Sequence, residues 1–167
     1  MKKHVLFFFF LTINLFGSSQ CHEIFITVSG TGSGVQNDPA GLDSALSIAV
    51  PGDVLKLDTG TYVLNNSLQL KDSITIEGGY ISSSNWSKTS LPGATTIHRS
   101  NANSQAISVW SQTVAISGSK VSFFRLQDLT ISTENTNQLS MSTYGIHLDS
   151  CSNYHIVRCQ INPGLAG

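Results

Sequence analysis

Six ionisable side chains in the last third of the sequence could move protons or stabilise negative charge. They are Arg125, Asp128, His147, Asp149, His155 and Arg158. Histidine and aspartate can act as general bases, and arginine can stabilise the anion that forms when a base removes a proton. Arg125 lies as far from His155 in the sequence as Asp128 lies from Arg158. This shared spacing predicts that a repeating structure brings each pair together.

Two aromatic residues, Tyr80 and Trp86, could stack on sugar rings. Both lie in a polar segment, 80–94, which we expect to project from the body of the protein as a loop. Loops often carry binding residues. The alternative is that Trp86 folds back and covers the body. Trp110 is a third aromatic residue of the same kind.

The sequence lacks the usual patterns for metal, nucleotide or serine chemistry. The five histidines and three cysteines have no zinc-site spacing. Gly30-Thr31-Gly32-Ser33-Gly34 places Val35 where a nucleotide-binding loop has its third glycine. A GxSxG motif and an identifiable pair of catalytic carboxylates are also absent. We predict no cofactor; calcium is left open, but the aspartates are too scattered to suggest its ligands.

Composition excludes a nucleic-acid binder. Charged residues make up 11% of the 167 residues, and the formal net charge is −1. Neutralising phosphates would require clustered lysine and arginine. The length fits one domain or part of one. A polar but weakly charged chain with regularly placed Val, Ile and Leu indicates β-structure in an exported protein.

The first twenty residues have the three-part layout of a secretory signal peptide. A basic start at Met1–His4 precedes an apolar run, Val5–Phe16, which is too short to span a bilayer. We predict cleavage near Gln20, leaving a mature domain of 21–167 without a transmembrane segment. The predicted location is secreted or on the outer cell surface. A buried N-terminal element and acylation of Cys21 as a lipid anchor are the alternatives.

The sequence predicts one helix, over 39–49. Asp38 can cap its start, and Pro39 suits the first helical position. An apolar stripe at helical spacing follows, and it consists of Leu42, Ala45, Leu46 and Ala49.

Short strands separated by turns occupy the rest of the chain. The predicted strands are Ile24–Val28, Val54–Leu57, Leu68–Leu70, Ile74–Ile76, Thr95–Ile97, Ala106–Val109 and Val114–Ile116. Strands this short without helices between them indicate a sandwich, a barrel or a β-solenoid.

An internal repeat favours the solenoid. The segment 124–131 aligns with 154–161, and four apolar positions recur: Phe124 with Tyr154, Leu126 with Ile156, Leu129 with Cys159, and Ile131 with Ile161. In a solenoid these side chains stack inside the tube, and each buried one contributes roughly 1.5–3 kcal/mol. Strand alternation then places Arg125 and His155 outward at equivalent positions.

The repeat also bears on the cysteines. Export permits disulfides, and Cys151 could pair with Cys159. However, Cys159 occupies the position of a leucine, and this favours a buried thiol.

Three segments resemble right-handed parallel β-helix proteins of the pectin lyase-like superfamily. The first is Asp38-Pro39 together with the predicted helix and 51–62. The second is Ile74–Tyr80 together with Trp86 and Thr95–Ile97. The third is Gly145–Leu148 together with Asn153–Ile156. The resemblance covers about 24–162 and implies an all-β, right-handed parallel β-helix whose helix covers the first coil. Because no capping sequence follows the last strand, we expect the N-terminal part of a longer protein. If the chain ends at Gly167, a partner or a second copy should cover the open coil.

The superfamily contains polysaccharide lyases, glycoside hydrolases and adhesins. We expect a secreted or surface protein that binds a polysaccharide or another surface ligand without catalysis. The alternative is a lyase or hydrolase whose active coils lie mainly beyond Gly167. The candidate ligand-binding residues are Arg125, His147, Asp149, His155, Arg158, Tyr80 and Trp86.

Overall fold

The protein is a parallel β-solenoid of about four turns. The computed structural model describes residues 21–89, 91–103, 111–136 and 138–167. The predicted signal peptide, the predicted strand Ala106–Val109 and Trp110 lie outside these residues. No helix among the described residues is long and apolar enough to cross a membrane.

The described elements are thirteen strands, one α-helix and one short 3-10 turn. In chain order they are β1 Glu23–Ile26, α1 Leu42–Ile48, β2 Val54–Asp58, β3 Gly60–Leu64, β4 Leu68–Gln69, β5 Thr75–Ile81, the 3-10 turn Ser82–Ser84, β6 Ser87–Lys88, β7 Thr95–Arg99, β8 Ser111–Ser119, β9 Arg125–Gln127, β10 Thr130–Thr133, β11 Met141–Asp149, β12 His155–Val157 and β13 Gln160–Asn162.

Three sheets form the walls of the solenoid. The first sheet has the order β1-β2-β5-β9-β12, with β6 antiparallel to β5. The second sheet has the order β3-β7-β10-β13, and the third has the order β4-β8-β11. All other pairings between these strands are parallel, as stacked coils require.

The internal repeat is confirmed at the level of strand register. Arg125 pairs with His155, Leu126 with Ile156, and Ile131 with Ile161. The register places apolar side chains in columns inside the tube. One column consists of Ile24, Leu55, Ile76, Leu126 and Ile156, and a second consists of Tyr62, Ile97, Ile131 and Ile161.

The corners between sheets have left-handed backbone, and they recur at the same residue spacing as the internal repeat. Asp128 and Arg158 have φ of 54° and 50°, and they occupy equivalent corners of successive coils. Non-glycine residues rarely adopt this conformation, because the β-carbon crowds the backbone. At these corners the chain turns sharply between the first and second sheets.

The helix is shorter than predicted, and Asp38 does not cap it. The residue before its first turn is Gly41, which provides no side-chain hydrogen bond. Asp38 instead accepts hydrogen bonds from the backbone N–H and the hydroxyl of Ser33, both at 2.9 Å. The predicted apolar stripe is correct, because Leu42 and Ala45 are buried in the main core.

Candidate ligand-binding face

The outer face of the first sheet carries a ladder of polar and charged side chains, called here the charged face. Its members are Lys56, Glu77, Tyr80, Lys88, Arg125, Gln127, Asp128 and Arg158. Lys56, Glu77 and Gln127 are direct register partners on β2, β5 and β9. Because their neighbours Leu55, Ile76 and Leu126 point inward, strand alternation turns all three outward.

Asp128 is the centre of the ion pairs on the charged face. Its two carboxylate oxygens accept hydrogen bonds from Arg158 Nε at 2.5 Å and Nη2 at 2.9 Å. Lys88 Nζ lies 2.8 Å from Oδ2. The hydrogen bonds from Arg158, supported by Lys88, hold the pKa of Asp128 well below its usual range. The same pairing raises the pKa of Arg158.

Glu77 lies next to the ion pairs of Asp128 and shares Lys88 with it. It accepts hydrogen bonds from Lys88 at 2.5 Å, from Gln127 at 2.6 Å and from the Tyr80 hydroxyl at 2.8 Å. The ammonium group of Lys88 also lies 4.5 Å from the centre of the Tyr80 ring, within cation–π range. Burial, together with the hydrogen bond to Glu77, raises the pKa of Tyr80.

A groove of about 590 Å³ opens beside this cluster. Lys88, Asp128 and Arg158 are its charged lining residues, and Leu91, Pro92 and Gly93 are among its apolar ones. The remaining lining residues are Gly79, Thr89, Leu129, Thr130, Cys159 and Gln160. Lys88 and Arg158 are both paired with carboxylates, so the groove offers hydrogen-bond donors with little net charge and favours a ligand that brings acceptor oxygens.

Arg158 is the most accessible of the three charged groups that line the groove. Its side chain is 63% exposed, although it also pairs with Asp128. The two hydrogen bonds to Asp128 use two of the five N–H donors of the guanidinium group. The pairing therefore fixes the plane of the group while leaving donors directed away from Asp128.

Arg125 and His155 share the outer face of the first sheet, as their spacing predicted. They are direct register partners on β9 and β12. Arg125 Nε donates a hydrogen bond to Gln127 Oε1 at 2.7 Å, whereas the residue His155 is exposed. Together with Tyr80 and Arg158, these residues place four of the seven candidates on this face, and a fifth, Trp86, packs against it at β1.

His147 and Asp149 lie elsewhere, on β11 of the third sheet. The His147 ring packs edge-on against Tyr144, with 5.8 Å between ring centres. Asp149 accepts hydrogen bonds from the hydroxyls of Ser119 and Ser150. The fold therefore separates these two candidates from the charged face.

Trp86 is buried against the outer face of β1. Its ring lies edge-on to Phe25, with 4.8 Å between centres, and its Nε1 donates to the Gln36 carbonyl at 3.0 Å. This arrangement corresponds to the interpretation in which Trp86 folds back over the body. The segment 80–94 reverses direction through Asn85 and Trp86, and β6 then pairs antiparallel with β5.

Sequence reasoning did not select Lys56, Glu77 and Lys88. Strand alternation could have placed Lys56 and Glu77 outward, because each is flanked by an inward-pointing apolar residue. Their alignment depends on pairings across unequal stretches of chain, from Lys56 to Glu77 and from Glu77 to Gln127. These unequal spacings give no periodic signal in the sequence.

The cysteines form no disulfide, and Cys159 contacts the core and lines the groove. Burial raises the pKa of its thiol. Among the described residues, no group of three or more His, Cys, Asp or Glu side chains could hold a metal ion.

No protein-family model matches the chain, and no curated protein matches it. The fold and its outer face define the class as a parallel β-solenoid with a polar, grooved wall.

Proposed function

We propose that this protein is an exported or surface-displayed right-handed parallel β-helix that binds carbohydrate, with α1 acting as the cap of its first coil. The groove carries the proposal. It combines the exposed guanidinium of Arg158 and the ammonium of Lys88 with an apolar side at Leu91 and Pro92. Carbohydrates present hydroxyl or carboxylate oxygens along their edges and apolar C–H groups on their ring faces, and both match this lining.

The directions of the pKa shifts of Asp128 and Tyr80 argue against proton-transfer catalysis by these two groups. A general base works best when its pKa lies near the operating pH. The pKa of Asp128 is instead lowered by Arg158 and Lys88, and the pKa of Tyr80 is raised by burial and Glu77. Both groups are thus held in one protonation state near neutral pH, Asp128 ionised and Tyr80 neutral. Such groups orient a ligand but exchange protons poorly.

The test is a glycan-array screen of the purified protein, followed by calorimetric titration of the ligands found. Arg158→Ala should weaken binding at least tenfold, because it removes the exposed donors of the groove. Lys120→Ala is the matched control, since Lys120 is also an exposed cation at a left-handed corner, with φ of 57°. Failure to bind any glycan, or an equal loss in both variants, would reject the proposal.

A second candidate, a polysaccharide lyase or glycoside hydrolase with its active coils mainly beyond Gly167, rests on one observation. Arg125 and His155 are neighbours on the outer face, so a base and a cation face the same side. Absorbance of unsaturated products on pectate and alginate tests the lyase form of this candidate. Turnover that disappears in His155→Ala would favour catalysis, and the absence of turnover would exclude these substrates.

A further inference from the structure

The two cations that line the groove are already paired with carboxylates of the protein itself. Lys88 Nζ lies 2.5 Å from Glu77 Oε1 and 2.8 Å from Asp128 Oδ2. Arg158 Nε lies 2.5 Å from Asp128 Oδ1. Glu77 and Asp128 thus balance Lys88 and Arg158, and the cluster of these four side chains presents hydrogen-bond donors without a net charge.

The carboxylate of Asp128 uses its acceptor capacity within the protein. Arg158 donates two hydrogen bonds to it, Lys88 contacts it, and Gln127 Nε2 donates at 3.2 Å. An ionised carboxylate has about four lone-pair sites, which is as many as the donors that Asp128 already faces. Asp128 therefore needs no donor from a ligand, and its contribution to the groove is its negative charge.

That charge opposes a ligand that carries a carboxylate. Burying a charged group is costly unless it is paired and hydrogen-bonded. A uronate would lose its hydration and approach Asp128 and Glu77, while both cations already have partners. A sugar hydroxyl brings no charge, and it can accept a hydrogen bond from the N–H donors of Arg158 that Asp128 does not use.

The other cations of the charged face do not alter this balance at the groove. Lys56 pairs with Glu23 at 2.6 Å, between β2 and β1. Arg125 donates its hydrogen bond to Gln127. Neither Lys56 nor Arg125 is among the described residues that line the groove, so the cluster around Asp128 sets the charge that a ligand meets.

We infer that Asp128 makes the groove selective for uncharged sugars over uronates. The inference rests on the proposed carbohydrate binding and names the class of sugar. Asp128 acts through Arg158 and Lys88, so it is a positioning residue that sets specificity. In Asp128→Asn, Lys88 keeps its partner Glu77, whereas Arg158 loses its carboxylate and can make a two-point contact with a ligand carboxylate.

A glycan array printed with matched pairs tests this inference on the full chain. Each uronate oligosaccharide stands beside its methyl ester, and each neutral oligosaccharide stands beside the acid made by oxidising its C6 hydroxyls. The two members of a pair share rings and linkages and differ in charge. Calorimetric titration of the recognised pairs should give the wild type about tenfold tighter binding of the uncharged member, because the acid meets Asp128 and Glu77 at short range.

Asp128→Asn should abolish or reverse this preference, and its binding of the acid should weaken as salt rises from about 0.05 to 1 M. The variant should keep the fold, because asparagine tolerates the left-handed backbone of this corner. Asp43→Asn is the matched control, since it removes the same charge from an exposed site on α1 and should keep the wild-type preference. If Asp128→Asn does not fold, Glu77→Gln decides, because it removes the other carboxylate of the cluster from a strand.

The outcomes separate this inference from carbohydrate binding itself. A wild type that prefers the acids, or a preference that persists in the variant of the cluster, would overturn the inference and leave carbohydrate binding standing. An equal loss of preference in Asp43→Asn would also overturn it, by assigning the selectivity to the net charge of the whole protein. Recognition of no pair at all would reject carbohydrate binding, and the inference with it.

Discussion

The coils that begin with β9 and β12 carry almost the same pattern of residue types but differ in burial. Leu126 is completely buried, whereas its partner Ile156 is 38% exposed. Leu126 lies between β5 on one side and β12 on the other, whereas Ile156 has a neighbouring coil on one side only in the described structure. In a solenoid, burial of a side chain is therefore decided by the coils above and below it as well as by its own type.

The largest expected effect tests this difference directly. Leu126→Ala should lower the free energy of unfolding by about 2–5 kcal/mol, because it leaves a cavity between packed coils. Ile156→Ala should cost about 1 kcal/mol or less, since solvent already reaches the site and no closed cavity forms. Urea unfolding of both variants measures the two losses, and equal losses would contradict the comparison.

Trp86 supplies a second contrast along the first sheet, because it covers the outer face of β1 while the outer face of β12 is open. Trp86→Ala should cost about 3 kcal/mol by uncovering Phe25. Trp86→Phe should retain the ring contact and lose only the hydrogen bond to Gln36, at a cost of about 1 kcal/mol. Thermal unfolding measures both, with Tyr144→Ala, a half-exposed ring, as the control. A cost for Trp86→Ala no greater than that of the control would show that this cover is not stabilising.

The Asp128–Arg158 pair connects the coil that begins with β9 to the coil that begins with β12. Asp128→Asn should lower stability at pH 7 by about 1 kcal/mol, because Arg158 is largely exposed and solvent screens the pair. The pKa of Asp128 is lowered in the folded state, so this stabilisation is complete above the ordinary aspartate pKa of about 3.9. It is lost as the pH falls through the folded-state value.

The measurement is urea unfolding of the wild type and Asp128→Asn between pH 7 and pH 2. The gap between them should shrink below about pH 4. Asp149→Asn is the control, because Asp149 accepts its side-chain hydrogen bonds from the neutral hydroxyls of Ser119 and Ser150. A gap that stays constant with pH would show that the carboxylate charge is not what stabilises the fold.

The smallest expected effect concerns the thiols. Burial raises the pKa of Cys159, so less thiolate is present than at an ordinary cysteine. Alkylation of the folded protein should therefore label Cys159 several-fold more slowly than the exposed Cys21. Peptide mass spectrometry over time measures both rates, and labelling in urea should remove the difference. Equal rates in the folded protein would show that partial burial does not slow the reaction of Cys159.

The internal repeat made part of the fold and site predictable. It indicated the solenoid, the inward positions of Leu126 and Ile131, and the shared outer face of Arg125 and His155. It did so because residue types at a fixed spacing report directly on stacking. The helix was found by its apolar stripe, but its first residue was misplaced, because Asp38 bonds to Ser33 instead of to the helix.

The groove and most of the charged face could not be predicted. Lys56, Glu77 and Gln127 align across unequal stretches of chain, because segments of different length connect β2, β5 and β9. His147 and Asp149 looked equivalent to the other candidates in sequence, but they lie on the third sheet. The position of Trp86 depends on the reversal at Asn85, which composition does not reveal.

The sequence by itself determined which residues of 124–131 and 154–161 point into the tube, because strand alternation and the repeated spacing are visible in these segments. Only the tertiary structure decided which outward residues meet and how Asp128 is paired. These features depend on contacts between residues far apart in the chain, and on which coil lies next to another. The stacking of the coils determines these contacts, and no short segment of the sequence contains that information.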